Sequence, residues 1–146
     1  MRTDSKNSDF LSLAFLLDEY LAICDGDEHA FYDQYNKSEL LDHVLVAFIG
    51  GRPAGCGAIK KYSDSEAEIK RMFVKEAYRN KGIANAILKG LEAWSVELGY
   101  TKCILETGVK QSAAVSFYEA NNYYKIPNYE PYVHAQNSIC FGKSLI

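Results

Sequence analysis

Residues 78–84 carry residue types that could bind a phosphate group, in the order Tyr78-Arg79-Asn80-Lys81-Gly82-Ile83-Ala84. They lie between a predicted strand and a predicted helix, where successive backbone N–H groups can converge on an anion. Gly82 permits a close backbone approach, and Ala84 is small enough not to block it. Arg79 and Lys81 supply local positive charge. An ordinary helix-start turn with solvated basic residues is the alternative interpretation.

Two other phosphate-binding motifs do not match this segment. The Walker pattern needs Gly-Lys followed by Ser or Thr, whereas this sequence reads Lys81-Gly82-Ile83. The dinucleotide fingerprint needs three glycines spaced as G-x-G-x-x-G, and only Gly82 is present. The sequence therefore disfavours ATP hydrolysis and NAD binding.

The histidines and cysteines do not predict a metal site. His29, His43 and His134 are dispersed along the chain, so surface or capping roles are the simpler interpretation. The four cysteines are Cys24, Cys56, Cys103 and Cys140. None of them forms a C-x-x-C pair, which disfavours zinc and redox motifs and favours small buried side chains.

The composition indicates one globular domain over residues 1–146. A length of 146 residues suits a single core, and 48% hydrophobic and 24% charged residues are close to globular averages. A net charge of −3, with both signs mixed along the chain, gives no field for a nucleic acid. No stretch reaches the roughly 18 apolar residues of a membrane span, so we predict a cytoplasmic protein without a membrane partner.

Apolar spacing predicts a helix that begins at Ser8 and ends near Asp25-Gly26. Its apolar residues recur at spacings of three and four, and they are Phe10, Leu13, Ala14, Leu17 and Leu21. An aromatic pair suggests a second, short helix over Glu28–Asn36. The few residues before Ser8 leave room only for a short first strand.

A glycine pair predicts a β-hairpin early in the chain. The apolar run Val44–Ile49 is followed by Gly50-Gly51 and then by Ala54–Lys60, which indicates two antiparallel strands. In the next predicted strand, Glu66–Val74, the alternation of apolar residues reverses midway. Either both faces of this strand are covered, or an extra residue near Lys70-Arg71 makes a β-bulge.

The clearest predicted helix spans Lys81–Leu98, where a stripe of apolar residues ends before Gly99. The remaining predicted elements are a strand over Lys102–Glu106, a helix over Gln111–Asn121, and strands over Tyr123–Lys125 and Asn137–Ser144. This order makes the strands at 66–74 and 102–106 parallel neighbours joined by a right-handed crossover. Together with the early hairpin, it predicts an α/β fold with a mixed sheet.

The strand before the phosphate loop, the loop and a later helix together resemble the GNAT acetyltransferases. Residues 68–74, followed by Arg79-x-x-Gly82-x-Ala84, are similar to the acetyl-CoA signature of that family, Q/R-x-x-G-x-G/A. The resemblance continues through Leu105–Gly108 and Ala114–Tyr123, and it covers about positions 44 to 145. The sequence departs from the family in its first strand, which is nearly absent.

The resemblance implies the GNAT acyl-CoA N-acyltransferase fold, a mixed sheet with helices on both faces, and acetyl-CoA as cosubstrate without a metal. Pantetheine would lie between two splayed strands and hydrogen-bond to the backbone of Met72 and Val74. The pyrophosphate would contact Arg79, Asn80, Lys81, Gly82, Ile83 and Ala84. Because these contacts involve mainly the backbone, Met72 and Val74 can also be core residues.

The resemblance also implies which residues transfer protons. Acetyl transfer to an ammonium group needs a base for the nitrogen and an acid for the departing thiolate. The general base would be Glu68, on the cofactor strand, although a solvated carboxylate in the acidic run 64–68 is the alternative. The general acid would be Tyr118, beside the cofactor sulfur, although a packed aromatic is the ordinary role of a tyrosine.

The sequence therefore predicts an acetyl-CoA-dependent N-acetyltransferase that acts on a primary amine of a small molecule or peptide. A non-catalytic acyl-CoA-binding sensor or assembly module is the alternative, and the retention of Glu68 and Tyr118 favours the enzyme. The tail Ile126–Tyr132 resembles a small bacterial GNAT subgroup. Its loop, which includes His134, is expected to border the acceptor site or to form an aromatic plug. The sequence leaves open a homodimer.

Overall fold

The computed structural model describes residues 1–25 and 40–146. Its strands are β1 Arg2–Thr3, β2 His43–Ile49, β3 Arg52–Lys61, β4 Glu66–Val74, β5 Lys102–Gly108, β6 Tyr124–Ile126 and β7 Ser138–Ser144. Its helices are α1 Ser8–Asp25, α2 Ile83–Glu97 and α3 Ser112–Ala120, and a short 3-10 turn spans Glu76–Tyr78. The short helix predicted over Glu28–Asn36 lies outside the described residues.

The strands form one mixed sheet in the order β1-β2-β3-β4-β5-β7-β6. Only β4 and β5 pair in parallel within the described sheet, and the other neighbours are antiparallel. This arrangement confirms the predicted α/β fold with parallel strands at its centre. The first strand has two residues, Arg2 and Thr3, which pair with Leu45 and Val44, so the prediction of a short first strand is also confirmed.

The predicted hairpin joins β2 to β3. Gly50 and Gly51 have φ angles of 56° and 78°, the left-handed values that a tight two-residue turn between twisted strands requires. The strand after the turn begins at Arg52, two residues before the predicted Ala54, because the turn itself contains only the two glycines.

The point in β4 where the alternation of apolar residues reverses is a β-bulge. Cys56 pairs with Phe73 and Ala58 pairs with Lys70, so β4 has one more residue than β3 between these two pairs. Arg71 has a φ of 59°, which locates the irregularity at the predicted position. Residues 67–71 are all buried, so both faces of the strand are covered as well.

Helices cover both faces of the sheet, as predicted. On one face α2 and α3 pack against apolar side chains of β3, β4 and β5, including Ile59, Ile69 and Leu105. On the other face Phe10 and Leu13 of α1 pack with residues of β2 and β3. The helix predicted from Lys81 begins at Ile83, since Gly82 has a left-handed φ of 80° and caps it.

The strands β4 and β5 are joined over a short distance only. Within the described part of the chain, their pairing runs from Glu66 opposite Lys102 to Glu68 opposite Ile104. Beyond that point β4 continues beside β3, and β5 continues beside β7. The two strands therefore splay apart in the middle of the sheet. Among the described helices, none is both long and apolar enough to cross a membrane.

Candidate active site

A cavity of about 530 Å³, here called the groove, runs from the outer half of β4 to the start of α2. Of the residues predicted to contact the cofactor, those that line it are Met72, Val74, Arg79, Asn80, Gly82, Ile83 and Ala84. Lys81 is exposed and does not line the groove. Helices α1 and α3 complete the wall with Leu17, Tyr20 and Tyr118. The volume is within the range of small-molecule sites, roughly 300–1,000 Å³.

The loop before α2 has the backbone shape of an anion site. Asn80 and Gly82 both have positive φ angles, 63° and 80°, so the chain turns sharply just before the helix. The first N–H groups of any α-helix lack partners within the helix, and here the residues that carry them, Ile83, Ala84 and Asn85, line the groove. No atom lies within 4 Å of a Cβ built on Gly82, so φ rather than crowding favours glycine there.

The side chain of Arg79 ties this loop to the end of β4. Its Nε donates a hydrogen bond to the carbonyl oxygen of Val74 at 3.0 Å. Its guanidinium carbon lies 5.6 Å from the ring centroid of Tyr20 and 5.9 Å from that of Phe73. Arg79 therefore places positive charge at the mouth of the groove, and α1 helps to hold it there.

A second cavity of about 130 Å³, here called the inner cavity, opens where β4 and β5 splay. It is lined by residues 68–72 of β4 and 106–108 of β5, with Leu17 and Leu21 of α1 on one side. Tyr118 lines both the groove and the inner cavity. The Tyr118 side chain therefore lies at the junction of the groove and the inner cavity.

Glu68 is a buried carboxylate at the point where the strands separate. Its residue exposure is 7%, and it lines the inner cavity. The hydroxyl of Tyr129 donates a hydrogen bond to Glu68 Oε2 at 2.8 Å. The alternative interpretation of Glu68 as a solvated surface carboxylate is therefore wrong, and the buried carboxylate can exchange a proton with a group in the cavity.

Tyr118 is a packed aromatic that also borders both cavities. Its ring contacts those of Phe117, Tyr123 and Phe141 at centroid distances of 5.2, 5.8 and 6.3 Å. Burial raises the pKa of Tyr118 well above its usual value of about 10, and the nearby carboxylate of Glu106 raises it further. The phenol is therefore protonated at neutral pH, which is the form that a general acid requires.

Sequence reasoning missed several residues of the inner cavity. Glu106 lines this cavity and lies in the Leu105–Gly108 stretch that carries part of the family resemblance, but the sequence predicts no role for it. Tyr132 also lines the inner cavity, and Tyr129 contacts Glu68, so the aromatic tail does border this space. His134 is exposed and lines neither cavity.

The bulge residue Arg71 reaches from the inner cavity to α1. Its Nη2 donates to the carbonyl oxygen of Ala14 at 3.1 Å and to Asp18 Oδ1 at 2.8 Å. The guanidinium is buried, so this contact holds α1 against the splayed part of β4. In the described residues no group of three His, Cys, Asp or Glu side chains could hold a metal ion.

Known proteins share this architecture and part of this sequence. A family model described as "Acetyltransferase (GNAT) family" matches residues 11–123. The IAA acetyltransferase of Azospirillum brasilense is 34% identical over 120 residues, which cover 80% of this chain and 77% of that protein.

Solved structures of acyltransferases also align with this chain over nearly its whole length. A Klebsiella pneumoniae protein assigned as an acyl-CoA N-acyltransferase aligns with a TM-score of 0.81 and 26% identity, over 100% of this chain and 97% of that one. The PaiA N-acetyltransferase of Thermoplasma acidophilum, solved in complex with coenzyme A, aligns with a TM-score of 0.69 over 99% of both chains. At 18% identity this second likeness shows the fold alone.

Proposed function

The chain belongs to the GNAT family of acetyltransferases and is an acetyl-CoA-dependent N-acetyltransferase, and we propose that it acetylates a primary amine of a small molecule or peptide. In this proposal Glu68 is the general base and Tyr118 the general acid. The observation that carries it is that both side chains line the inner cavity, and that Tyr118 also lines the groove. A base and an acid thus border one space that adjoins a site for the cosubstrate.

The groove fits acetyl-CoA in three respects. The loop at residues 79–84 offers backbone N–H groups and the charge of Arg79 to a pyrophosphate. The open edge of β4 beyond Glu68 offers backbone groups to the amides of pantetheine. The groove leads to Tyr118, where the thioester would then lie. Bound there, acetyl-CoA supplies the activated acetyl group that the amine attacks.

The side chains of the inner cavity supply the proton transfers. The Glu68 carboxylate accepts a proton from the acceptor ammonium, which frees the nitrogen lone pair for attack on the thioester carbon. As the new C–N bond forms and the C–S bond breaks, the Tyr118 hydroxyl donates its proton to the departing sulfur. The nitrogen then loses its second proton, which restores the Tyr118 phenol and leaves a neutral amide and a CoA thiol, and Glu68 releases the first proton to solvent. The high pKa of Tyr118 keeps its hydroxyl proton available at neutral pH.

The inner cavity suits a compact acceptor group. Its volume of about 130 Å³ is similar to that of a protein cavity that holds one benzene molecule, about 150 Å³. An aminoalkyl or aminomethyl group fits such a space, and the rest of the acceptor would lie outside it. This fit supports either a small amine or the amine end of a peptide.

The proposed activity is tested by release of free CoA thiol from acetyl-CoA in the presence of a library of primary amines. Turnover with at least one amine is the expected result. Binding of acetyl-CoA without turnover with any amine would instead indicate the non-catalytic acyl-CoA-binding module. Such a module would keep the groove but would not depend on Glu68 or Tyr118.

We also propose that residues 1–146 act as a single domain in the cytoplasm. The described strands, from Arg2–Thr3 to Ser138–Ser144, all belong to one sheet, which supports a single domain. All four cysteines are unpaired, and Cys56, Cys103 and Cys140 are buried, as suits a reducing compartment.

A further inference from the structure

We propose that Tyr129 is a positioning residue: its hydroxyl orients the Glu68 carboxylate and keeps it ionised for proton transfer. This inference rests on the proposed role of Glu68 as general base. The two side chains are joined by a 2.8 Å hydrogen bond from the Tyr129 hydroxyl to Glu68 Oε2. They are 61 residues apart in the chain, so the contact depends on how the loop after β6 folds back over β4.

That loop, residues 127–137, is held in one shape by its own hydrogen bonds. The side-chain amide of Asn128 donates at 3.1–3.4 Å to three carbonyl oxygens, those of Tyr132, Ala135 and Ser138. The backbone N–H of Tyr132 donates to the carbonyl oxygen of Tyr129 at 2.6 Å. Tyr129 is therefore attached to a closed loop whose end joins β7, rather than to a free segment.

Neighbouring rings fix the ring of Tyr129. It packs edge-on against Tyr62 at 4.9 Å and against Tyr132 at 5.8 Å between centroids. Burial and the Glu68 carboxylate raise the pKa of Tyr129, so its hydroxyl remains a donor at every pH where the enzyme would work. A fixed ring with a permanent donor restricts rotation of the Glu68 carboxylate, and such orientation is what proton transfer needs.

The hydrogen bond also affects the charge of Glu68. A donor to a carboxylate stabilises its ionised form, so loss of the Tyr129 hydroxyl would raise the pH at which Glu68 becomes a base. Other groups around Glu68 act on the same equilibrium. The charged ones are Lys60 opposite it on β3, Lys70 and Arg71 on β4, and Glu106 on β5. The neutral ones are Tyr62, Tyr118, Tyr132 and Cys140.

The experiment is the pH dependence of kcat/KM for the best amine of the library, measured for Tyr129→Phe. Phe keeps the ring packed between its neighbours and leaves every other group around Glu68 in place. We expect the acid limb to move up by about one pH unit, with rates on that limb about 10-fold lower, because a charged hydrogen bond is lost. The plateau should change by less than about 3-fold, and the acetyl-CoA dissociation constant should not change.

Tyr62→Phe is the matched control. It removes a hydroxyl from the ring that packs on Tyr129, and that hydroxyl does not donate to Glu68. The acid limb of this variant should move much less than that of Tyr129→Phe, because Tyr62 acts on Glu68 only at a distance and no hydrogen bond to the carboxylate is lost. An equal shift in Tyr62→Phe and Tyr129→Phe would overturn the inference, because it would assign the effect to the aromatic packing.

Combination with Glu68→Gln separates this inference from the proposed function. If Tyr129 acts through Glu68, then Tyr129→Phe has no further effect on rate or pH profile in a Glu68→Gln background. A wild-type acid limb in Tyr129→Phe, beside a slow Glu68→Gln, would overturn the role of Tyr129 and leave the base in place. Wild-type rates in Glu68→Gln at every pH would overturn the base, and the role of Tyr129 with it.

Discussion

The groove and the inner cavity are adjacent, yet the chain builds them in different ways. Nearly half of the residues that line the groove come from one continuous stretch, residues 72–84, and the contacts predicted there with the cofactor are made mainly by backbone groups. The inner cavity comes from side chains on α1, β4, β5, α3 and the 127–137 loop. Binding in the groove should therefore depend on backbone shape, whereas chemistry in the inner cavity should depend on individual side chains.

The largest expected effect is on cofactor binding in Gly82→Glu. The substitution places a carboxylate where the pyrophosphate would lie, and like charges in contact cost several kcal/mol, or at least about 10²-fold in Kd. Calorimetric titration with acetyl-CoA measures the loss. Gly82→Gln has the same size and the same strain at φ 80°, so the difference between the two variants isolates the charge. Unchanged affinity in folded Gly82→Glu would contradict a phosphate site in this loop.

Tyr118→Phe should lower the maximal rate by about 10²-fold, the usual scale for a positioned acid, with little change in acetyl-CoA affinity. Phe preserves the ring contacts of α3 and removes only the proton donor. Because the Tyr118 pKa is raised, its loss of a proton should not slow the wild type below about pH 10. Steady-state kinetics across this pH range test both statements.

The neighbouring Tyr123→Phe is the control for Tyr118→Phe. The Tyr123 hydroxyl donates to Glu92 at 2.9 Å, and Tyr123 lines neither cavity. This variant should lower the melting temperature and keep the maximal rate. If Tyr118→Phe is folded, binds the cofactor and turns over like the wild type, then the sulfur leaves as a thiolate or receives its proton from another donor.

Glu68→Gln should slow the chemical step by about 10-fold at neutral pH, less than is usual for a lost base because Glu106 shares the cavity. The defect should shrink as the pH rises, since more of the acceptor amine is then already deprotonated. Glu66→Gln is the matched control, because Glu66 accepts a hydrogen bond from Ser63 at 3.0 Å and does not line the cavity. Equal rates for both variants at every pH would remove Glu68 from the mechanism.

The smallest expected effect is that of Lys81→Ala, which should change the acetyl-CoA Kd by less than about 3-fold. Lys81 is exposed and lies outside the groove, so its charge is screened by solvent. Titration beside Arg79→Ala, which removes a side chain that does line the groove, gives the comparison. A loss of 10-fold or more in Lys81→Ala would show that the groove depends on side-chain charge as much as on backbone.

The difference between the two regions also explains what the sequence could predict. The loop at 79–84, the hairpin at Gly50-Gly51 and the bulge near Arg71 leave local signals, because backbone conformation is set by neighbouring residues. The contact between Glu68 and Tyr129 leaves no such signal, since it joins segments 61 residues apart.

The remaining site residues are only partly predictable from the sequence. The roles of Glu68 and Tyr118 are predicted only by the resemblance to a family, because an acidic run or one tyrosine among 11 has no distinctive pattern. Glu106 faces the same cavity only because β5 runs parallel to β4 and then diverges from it. Strand order and the splay of the strands decide which side chains share a cavity. The periodicity of a single sequence carries no information about either of them.

The splay of β4 and β5 makes the sheet two half-sheets joined along a short seam at residues 66–68 and 102–104. A molecule that bridges the gap beyond Glu68 ties these halves together, so binding and resistance to unfolding are linked. A ligand present at 100 times its Kd stabilises the native state by about 2.7 kcal/mol. The folded population of this protein, and hence its lifetime against proteolysis, would therefore follow the supply of acetyl-CoA.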